Sequence, residues 1–131
     1  MTTDPISNMI ISMKNGAAVA KDTVVVPFSA IKYAIAQCLK SNGFIAEVSK
    51  KTEKNNVPVL EISLAYNAGV SKLSDVKRIS KPSRRVYMGF RDLHRVKNGH
   101  GMTVLSTPKG IMSDKEARKE LVGGEALFMI W

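Results

Sequence analysis

Residues 102–131 read MTVLSTPKGIMSDKEARKELVGGEALFMIW. Residues 102–107 and 126–131 are apolar and rich in side chains that favour extended backbone, so both are predicted to form strands. The turn sequence Pro108-Lys109-Gly110 follows the first strand, and Gly123-Gly124 precedes the last. This stretch therefore predicts a unit that is built mainly from β-strands.

A short helix separates the two strands. Ser113 and Glu116 have the three-residue spacing of a capping box, which predicts a helix that continues through Leu121. Upstream, residues 84–90 predict a further strand, and turn sequences recur at residues 81–83 and 98–101. The second half of the chain is therefore expected to be mainly β with one short helix.

The first half of the chain has a different pattern, in which helices alternate with strands. Asp4-Pro5 supplies an N-cap acceptor and a proline at the first helical position, and Gly16 is expected to end that helix. Ser29 is the predicted cap of a second helix, which ends at Gly43. The predicted buried faces comprise Ile6, Met9, Ile10 and Met13 in the first helix and Ile31, Ala34, Ile35, Cys38 and Leu39 in the second.

Three strands accompany these helices. They are predicted over residues 23–27, 44–49 and 59–66, and the last two form a hairpin beneath the helices. The turn sequence at residues 67–69 is the expected boundary. We therefore predict an α+β fold of two small packed subdomains: residues 1–66 form an N-terminal α/β unit with two helices on a small sheet, and residues 67–131 form a mainly β unit with a short helix.

Composition narrows the class of protein. The chain has 131 residues, of which 44% are hydrophobic and 24% charged, which argues against intrinsic disorder and against a membrane span. The N-terminus lacks the pattern of a secretory signal, so a cytoplasmic protein is expected. The single cysteine, Cys38, cannot form an internal disulfide and lies on a predicted buried face, which favours a packed thiol over a reactive one.

Charge is distributed unevenly along the chain. The net charge is +9, and residues 67–131 carry seven lysines and all six arginines against six acids. Residues 77–97 contain eight basic side chains opposed only by Asp92. Because guanidinium groups bind phosphate bidentately and stack on bases, the second half is predicted to contact a polyanion, whereas a solvated charged surface is the alternative.

Catalytic and metal sites are not predicted. The order Lys109-Gly110 is the reverse of that in a phosphate-binding loop, and no pattern joins His94, His100 and Ser106 into a nucleophile and its base. One thiol and two histidines make a four-ligand zinc site improbable. We expect a protein without enzymatic activity, cofactor or metal.

Three segments are candidate binding sites. Residues 105–110 place the hydroxyls of Ser106 and Thr107 beside Lys109 and Gly110, a combination that suits sugar hydroxyls, phosphates and base edges. The Gly123-Gly124-Glu125 segment is either a second site, with an acid that accepts hydrogen bonds from a base amino group or from the neighbouring loop, or a tight turn with a solvated carboxylate. Tyr87 is predicted either to stack on an unpaired base or to be buried in the core.

Several ordered motifs together resemble the family of bacterial ribosomal protein eight of the small subunit. The resemblance runs from Asp4-Pro5-Ile6 almost to Trp131. Its strongest elements are Ile79-Ser80-Lys81-Pro82 with Arg85-Val86-Tyr87, Asn98-Gly99-x-Gly101, Leu105-Ser106-Thr107-x-Lys109-Gly110-x-Met112-x-Asp114-x-x-Ala117-Arg118, and Gly-Gly-Glu-Ala-Leu at residues 123–127.

The resemblance implies a primary 16S rRNA-binding protein that binds an irregular helix of the central domain and assists small-subunit assembly. It implies neighbouring ribosomal proteins, five and seventeen among them, no membrane partner and a free monomer. It places two groups of residues at RNA. The hydroxyl-rich loop and Gly-Gly-Glu turn, with the basic strand before them, supply Lys81, Arg84, Tyr87, Ser106, Thr107, Pro108, Lys109, Gly110, Gly123, Gly124 and Glu125; the first helix supplies Lys14 and Asn15.

The chain departs from the family pattern in several places, among them the first helix, where Ser12-Met13-Lys14 replaces a typical arginine-rich run. Pro108 stands where serine is usual, Ser83 replaces a glycine, and Phe128-Met129 lie near a common Cys-Tyr pair. Ser83 indicates a turn that needs no positive φ, or one that tolerates it at some cost.

The alternative function is that of a general nucleic-acid-binding protein, which binds the nucleoid or messenger RNA. Against it, no predicted helix carries a row of basic and amide side chains for reading a major groove. A small hydrolase is a third alternative, and it lacks a catalytic constellation.

Overall fold

A computed structural model describes residues 5–52, 56–67, 69–81, 83–93 and 101–131. It confirms the predicted α+β fold. The chain divides by contact into two compact units, one spanning Pro5–Ser74 and the other beginning at Asp75 and continuing to Trp131. The sequence placed the division between residues 66 and 67. Residues 67–74 group with the first unit, where β4 (Tyr66–Asn67) and β5 (Val70–Ser71) form a short hairpin.

In the part of the first unit that the structure describes, two helices accompany a three-stranded antiparallel sheet. Strand β3 pairs with both of its neighbours, so the strand order is β1-β3-β2. Alternating burial along β3 matches the period of two in its sequence. The elements are α1 (Pro5–Ala18), β1 (Thr23–Pro27), α2 (Ala30–Ser41), β2 (Ile45–Thr52) and β3 (Pro58–Leu64).

Helix α1 continues past its predicted end. The expectation that Gly16 stops the helix is wrong, because α1 runs to Ala18 and Gly16 is buried within it. A β-carbon on Gly16 would lie 2.6 Å from Cγ1 of Val24, so this glycine permits close packing of α1 on β1. The predicted Asp4 cap lies outside the described residues.

Helix α2 begins as predicted. The Ser29 hydroxyl accepts a hydrogen bond from the Lys32 backbone amide at 3.2 Å. Cys38 is buried, as expected, but Ile31 was wrongly assigned to the buried face and is 42% exposed, and Ala34 is only half-buried. Lys32 is buried instead, because its aliphatic stem packs inward while Nζ donates to the Pro27 carbonyl at 3.3 Å.

Within its described residues, the second unit contains a five-stranded antiparallel sheet and one short α-helix. Strand β10 is central, because it pairs with β8 on one side and with β6 and β7 on the other. The Ser113 hydroxyl caps α3 by accepting from the Glu116 amide, which confirms the predicted helix start. The elements are β6 (Val76–Arg78), β7 (Tyr87–Met88), β8 (Met102–Thr107), β9 (Gly110–Ser113), α3 (Asp114–Glu120) and β10 (Gly124–Ile130).

Two predictions for the second unit were inaccurate. The strand expected over residues 84–90 is limited to β7, and Phe90–Asp92 forms one turn of 3₁₀ helix closed by a 2.9 Å bond from the Asp92 amide to the Gly89 carbonyl. Strands β6 and β9 were not predicted. Both are short, so their pairing with longer partners, rather than a sequence pattern of their own, makes them strands.

A β-bulge interrupts β10 at Leu127. The ladder to β8 shifts between Ala126 and Phe128, and the Leu127 carbonyl accepts from the backbone amides of Ile79 and Ser80 at 3.1 and 3.3 Å and from the Arg78 guanidinium. A bulge breaks the regular alternation of side chains and bends its strand. These hydrogen bonds to the Leu127 carbonyl attach the end of β6 and the segment after it to β10, the strand that carries Glu125.

Candidate nucleic-acid interface

Three predicted site residues lie side by side on adjacent strands. Glu125 on β10 is opposite Tyr87 on β7 and opposite Ser106 on β8. Directly opposed residues of antiparallel strands project to the same face, with β-carbons about 5 Å apart. Tyr87, Glu125 and Ser106 therefore form one cross-strand row, roughly 10 Å long.

The row combines a ring, a carboxylate and a hydroxyl. Tyr87 is 71% exposed, so the alternative of burial in the core is wrong. Ser106 is half-buried, and its hydroxyl has no hydrogen-bond partner in the part of the chain that the structure describes. The row thus offers a stacking surface and a free donor-acceptor group on either side of an acid.

The opposite face of the sheet is the hydrophobic core of this unit. Leu105 and Ala126, which alternate with the row residues along their strands, are fully buried and pack with Met112 of β9 and Ala117 of α3. Burial of a leucine side chain contributes about 1.5–3 kcal/mol. Met88 of β7 packs against the same cluster, so this packing holds β7, β8 and β10, and hence the spacing of the row, in place.

The Glu125 carboxylate is held by two donors. The Ser80 hydroxyl donates to Oε2 at 2.5 Å, and Nη1 of Arg85 donates to the same oxygen at 3.0 Å. Burial raises the pKa of Glu125, but the hydrogen bonds from Ser80 and Arg85 and the charges of Arg85 and Arg78 outweigh it, so the pKa lies below its usual range. Glu125 is therefore an ionised acceptor at neutral pH.

The turn between β8 and β9 is organised by Thr107. Its hydroxyl donates to the Gly110 carbonyl at 2.8 Å and accepts from the Lys109 amide at 3.2 Å. Thr107 is buried, whereas Pro108, Lys109 and Gly110 are exposed. Gly110 has φ +117°, a conformation that side chains rarely adopt. Thr107 thus stabilises the loop, and the following three residues are available to a ligand.

Gly123 and Gly124 act through close backbone packing. A β-carbon on Gly123 would overlap the Met88 carbonyl oxygen and lie 2.7 Å from Cα of Gly89. A β-carbon on Gly124 would overlap the Ser106 carbonyl oxygen. The two glycines therefore allow the start of β10 to fit between the ends of β7 and β8, where Glu125 joins the row.

Three exposed basic side chains are close in sequence to the row residues Tyr87 and Ser106. Lys81 and Arg84 are exposed and exchange two backbone hydrogen bonds, of 2.9 and 3.0 Å. Ser83, between them, is absent from the residues with positive φ, which confirms the first interpretation of this turn. Lys109 makes an exposed 3.3 Å ion pair with Glu120, a contact weak enough in water to exchange for a phosphate.

Two other predicted site residues belong to the first unit, and several belong to a segment that the structure does not describe. Lys14 and Asn15 lie on α1 in the first unit, where both are exposed. His94, Arg95, Lys97, Asn98, Gly99 and His100 lie outside the described residues. Across the described ranges, no group of three or more histidine, cysteine or acidic side chains is arranged to hold a metal.

Sequence reasoning did not assign a role to Ser80 or Arg85. Both occur in the motif around residues 79–87, but their shared contact is Glu125, at sequence separations of 45 and 40. Ser80 is fully buried. No local pattern distinguishes a buried serine that binds a distant carboxylate from a serine in a turn, and only the motif could have marked it.

Comparison with known proteins places the chain in a family. The model of the family described as ribosomal protein S8 matches residues 4–131. The chain belongs to the ribosomal protein S8 family. Curated relatives named small ribosomal subunit protein uS8 include those of Ruegeria sp. (strain TM1040), 41% identical over 98% of both chains, and Agrobacterium fabrum, 40% identical over 98% of both. That of Stenotrophomonas maltophilia (strain R551-3) is 44% identical over 98% of this chain and 97% of the relative.

Membership of the ribosomal protein S8 family confirms two predictions. It confirms the resemblance read from the ordered motifs, and it confirms that the chain is a ribosomal protein rather than an enzyme. Among the described residues, no helix has both the length and the apolar character needed to cross a membrane.

Proposed function

We propose that this ribosomal protein is a primary 16S rRNA-binding protein of the small subunit, which binds an irregular helix of the central domain through its second unit and assists subunit assembly. The cross-strand row carries the proposal. The predicted contacts are the row, Lys81 and Arg84, the loop at residues 107–110, the glycines at 123 and 124, and, as a separate contact, Lys14 and Asn15.

The chemistry of the row favours contact with RNA bases over contact with the phosphate backbone of the RNA. Tyr87 offers a largely exposed ring for an unstacked base, and an ionised Glu125 repels phosphate but accepts N–H donors from a base edge. A regular A-form duplex exposes neither an unstacked base nor a readable major groove. An irregular helix exposes both, which supports that target over uniform duplex RNA.

The basic side chains supply the affinity that is independent of sequence. Lys81, Arg84 and Lys109 are exposed. Phosphate contacts position a protein on nucleic acid, whereas base contacts specify the sequence.

The other proposed partners are neighbouring ribosomal proteins of the small subunit, five and seventeen among them.

Binding to a central-domain rRNA fragment and to a scrambled RNA of the same length tests the proposal. We expect discrete nuclease protection only on the cognate fragment. Tyr87→Leu should weaken cognate binding roughly tenfold, because stacking contributes ~1–3 kcal/mol, and should change scrambled-RNA binding little. Arg84→Ala, the matched control, should weaken both similarly. Equal affinity of the unaltered protein for both RNAs would support the alternative of a general nucleic-acid-binding protein.

A further inference from the structure

The Ser80 hydroxyl joins two parts of the candidate interface. It donates to Oε2 of Glu125 at 2.5 Å and accepts from the Val86 backbone amide at 3.1 Å. Since a hydroxyl has a single proton, acceptance from Val86 leaves that proton for the carboxylate. Ser80 therefore connects Glu125 with the backbone directly before Tyr87.

The two oxygens of Glu125 have different surroundings. Ser80 and Arg85 both donate to Oε2. Within the described part of the chain, Oε1 accepts no hydrogen bond. A carboxylate has about four lone-pair sites, so Oε1 remains able to accept a donor from a ligand.

Ser80 restrains the carboxylate better than Arg85 does. Ser80 is fully buried and has one rotatable side-chain bond, whereas the Arg85 side chain is 49% exposed and long. Exposed ion pairs contribute little, because ordering a long side chain costs entropy and water screens the charges. Without the Ser80 hydroxyl, the Glu125 carboxylate would keep Arg85, a half-exposed side chain, as its one hydrogen-bond partner among the described residues.

We propose that Ser80 is a positioning residue for RNA recognition: its buried hydroxyl fixes Oε2 of Glu125, so that Oε1 is presented to an N–H donor of an RNA base, and at the same time fixes the backbone leading to Tyr87. The inference rests on the proposed function, because it assigns Ser80 an action through the cross-strand row. It deepens that function by naming Oε1 of Glu125 as the oxygen that accepts from the base, and Ser80 as the residue that positions it.

A double-mutant cycle in the full-length protein tests the RNA part of the proposal. We expect Ser80→Ala to weaken cognate binding about tenfold, because the Glu125 carboxylate is then no longer held in place for the RNA base. Binding to scrambled RNA should change less than about twofold. In combination with Glu125→Gln, Ser80→Ala should add less than about threefold to the loss. Independent, multiplicative losses would overturn the proposal.

A titration of the Glu125 carboxyl by carbon NMR, without RNA, tests the positioning directly. The pKa of Glu125 should rise in Ser80→Ala, because burial remains while one of its hydrogen bonds is lost and only Arg85 and Arg78 still favour the charged form. An unchanged titration would overturn the proposal even if RNA binding falls. If the unaltered protein does not discriminate cognate RNA, the proposed function fails, and the titration still decides the role of Ser80.

Two further variants separate positioning from folding. Ser113→Ala removes another fully buried hydroxyl, the cap of α3, and should lower stability without moving the Glu125 titration or the cognate affinity beyond about twofold. Ser80→Thr retains the hydroxyl and should restore both readouts. If Ser80→Ala does not fold, Ser80→Cys, a weak donor of similar size, replaces it with the same expected losses.

Discussion

Gly124 lies so close to the backbone of Ser106 that a β-carbon on residue 124 would overlap the Ser106 carbonyl oxygen and lie 2.9 Å from its carbonyl carbon. Both neighbours are main-chain atoms of a paired strand, so neither can rotate away. The spacing between β10 and β8 at the cross-strand row therefore depends on the absence of a side chain at residue 124.

Gly124→Ala is expected to destabilise the protein. Overpacking of this kind costs typically ~1–3 kcal/mol, and the strands must separate where Glu125 meets Ser106. Urea denaturation measures the loss. Gly89→Ala is the matched control, because a β-carbon there meets only Oδ2 of Asp92 at 3.5 Å and its stability should change by less than ~0.5 kcal/mol. Similar stability of both variants would contradict the packing argument.

The two hydroxyls of the β8–β9 segment should behave differently on mutation. Ser106→Ala should weaken cognate RNA binding roughly tenfold and change stability by less than ~0.5 kcal/mol, because this hydroxyl has no partner in the described residues. Thr107→Ala should lower the free energy of unfolding by about 1 kcal/mol, because it loses the bonds to Gly110 and Lys109.

Paired gel-shift and denaturation measurements on these two variants check the difference. A large stability loss for Ser106→Ala, or a stability unaffected by Thr107→Ala, would show that their roles are assigned wrongly.

Stability should depend on pH through Glu125. A carboxyl whose folded pKa is depressed stabilises the protein fully above its unfolded pKa, near 4.3, and the contribution is lost as pH falls through the folded value. The difference in free energy of unfolding between the unaltered protein and Glu125→Gln should thus be constant above about pH 5 and shrink below about pH 4. Urea midpoints measured at pH 3.5 and 6.5 test this, and an equal difference at both values would contradict it.

Leu121→Gly is expected to stabilise α3. Leu121 caps the helix in the left-handed conformation, with φ 57° and ψ 41°, and its side chain is 66% exposed. A side chain in that region costs ~1–2 kcal/mol, partly offset by the greater unfolded-state entropy of glycine, so a net gain of about 1 kcal/mol is expected. Thermal unfolding measures it. Leu121→Ala retains a β-carbon and should show no gain; a gain from both would point to the exposed apolar surface instead.

Much of the fold was predictable from local sequence. The caps at Ser29 and Ser113, the alternation along β3 and the apolar stripe of α1 each depend on a periodicity or a side-chain bond within a few residues. The errors arose where distant packing prevails over local preference. Glycine commonly ends a helix, yet Gly16 lies within α1 and permits close packing against Val24. Strand β6 is a strand only because it pairs with β10.

The candidate site also has features that local sequence predicts and features that depend on contacts between distant segments. Ordered motifs of hydroxyl, glycine, acidic and basic residues mark Tyr87, Ser106 and Glu125 one at a time, so local sequence was enough to name them as candidates. The fold was needed to show that these residues form one row, that Thr107 bonds within its own loop, and that Ser80 holds Glu125 across a separation of 45 residues. Hydrogen-bond partners and strand register between distant segments depend on how the sheet assembles, and no local pattern encodes that assembly.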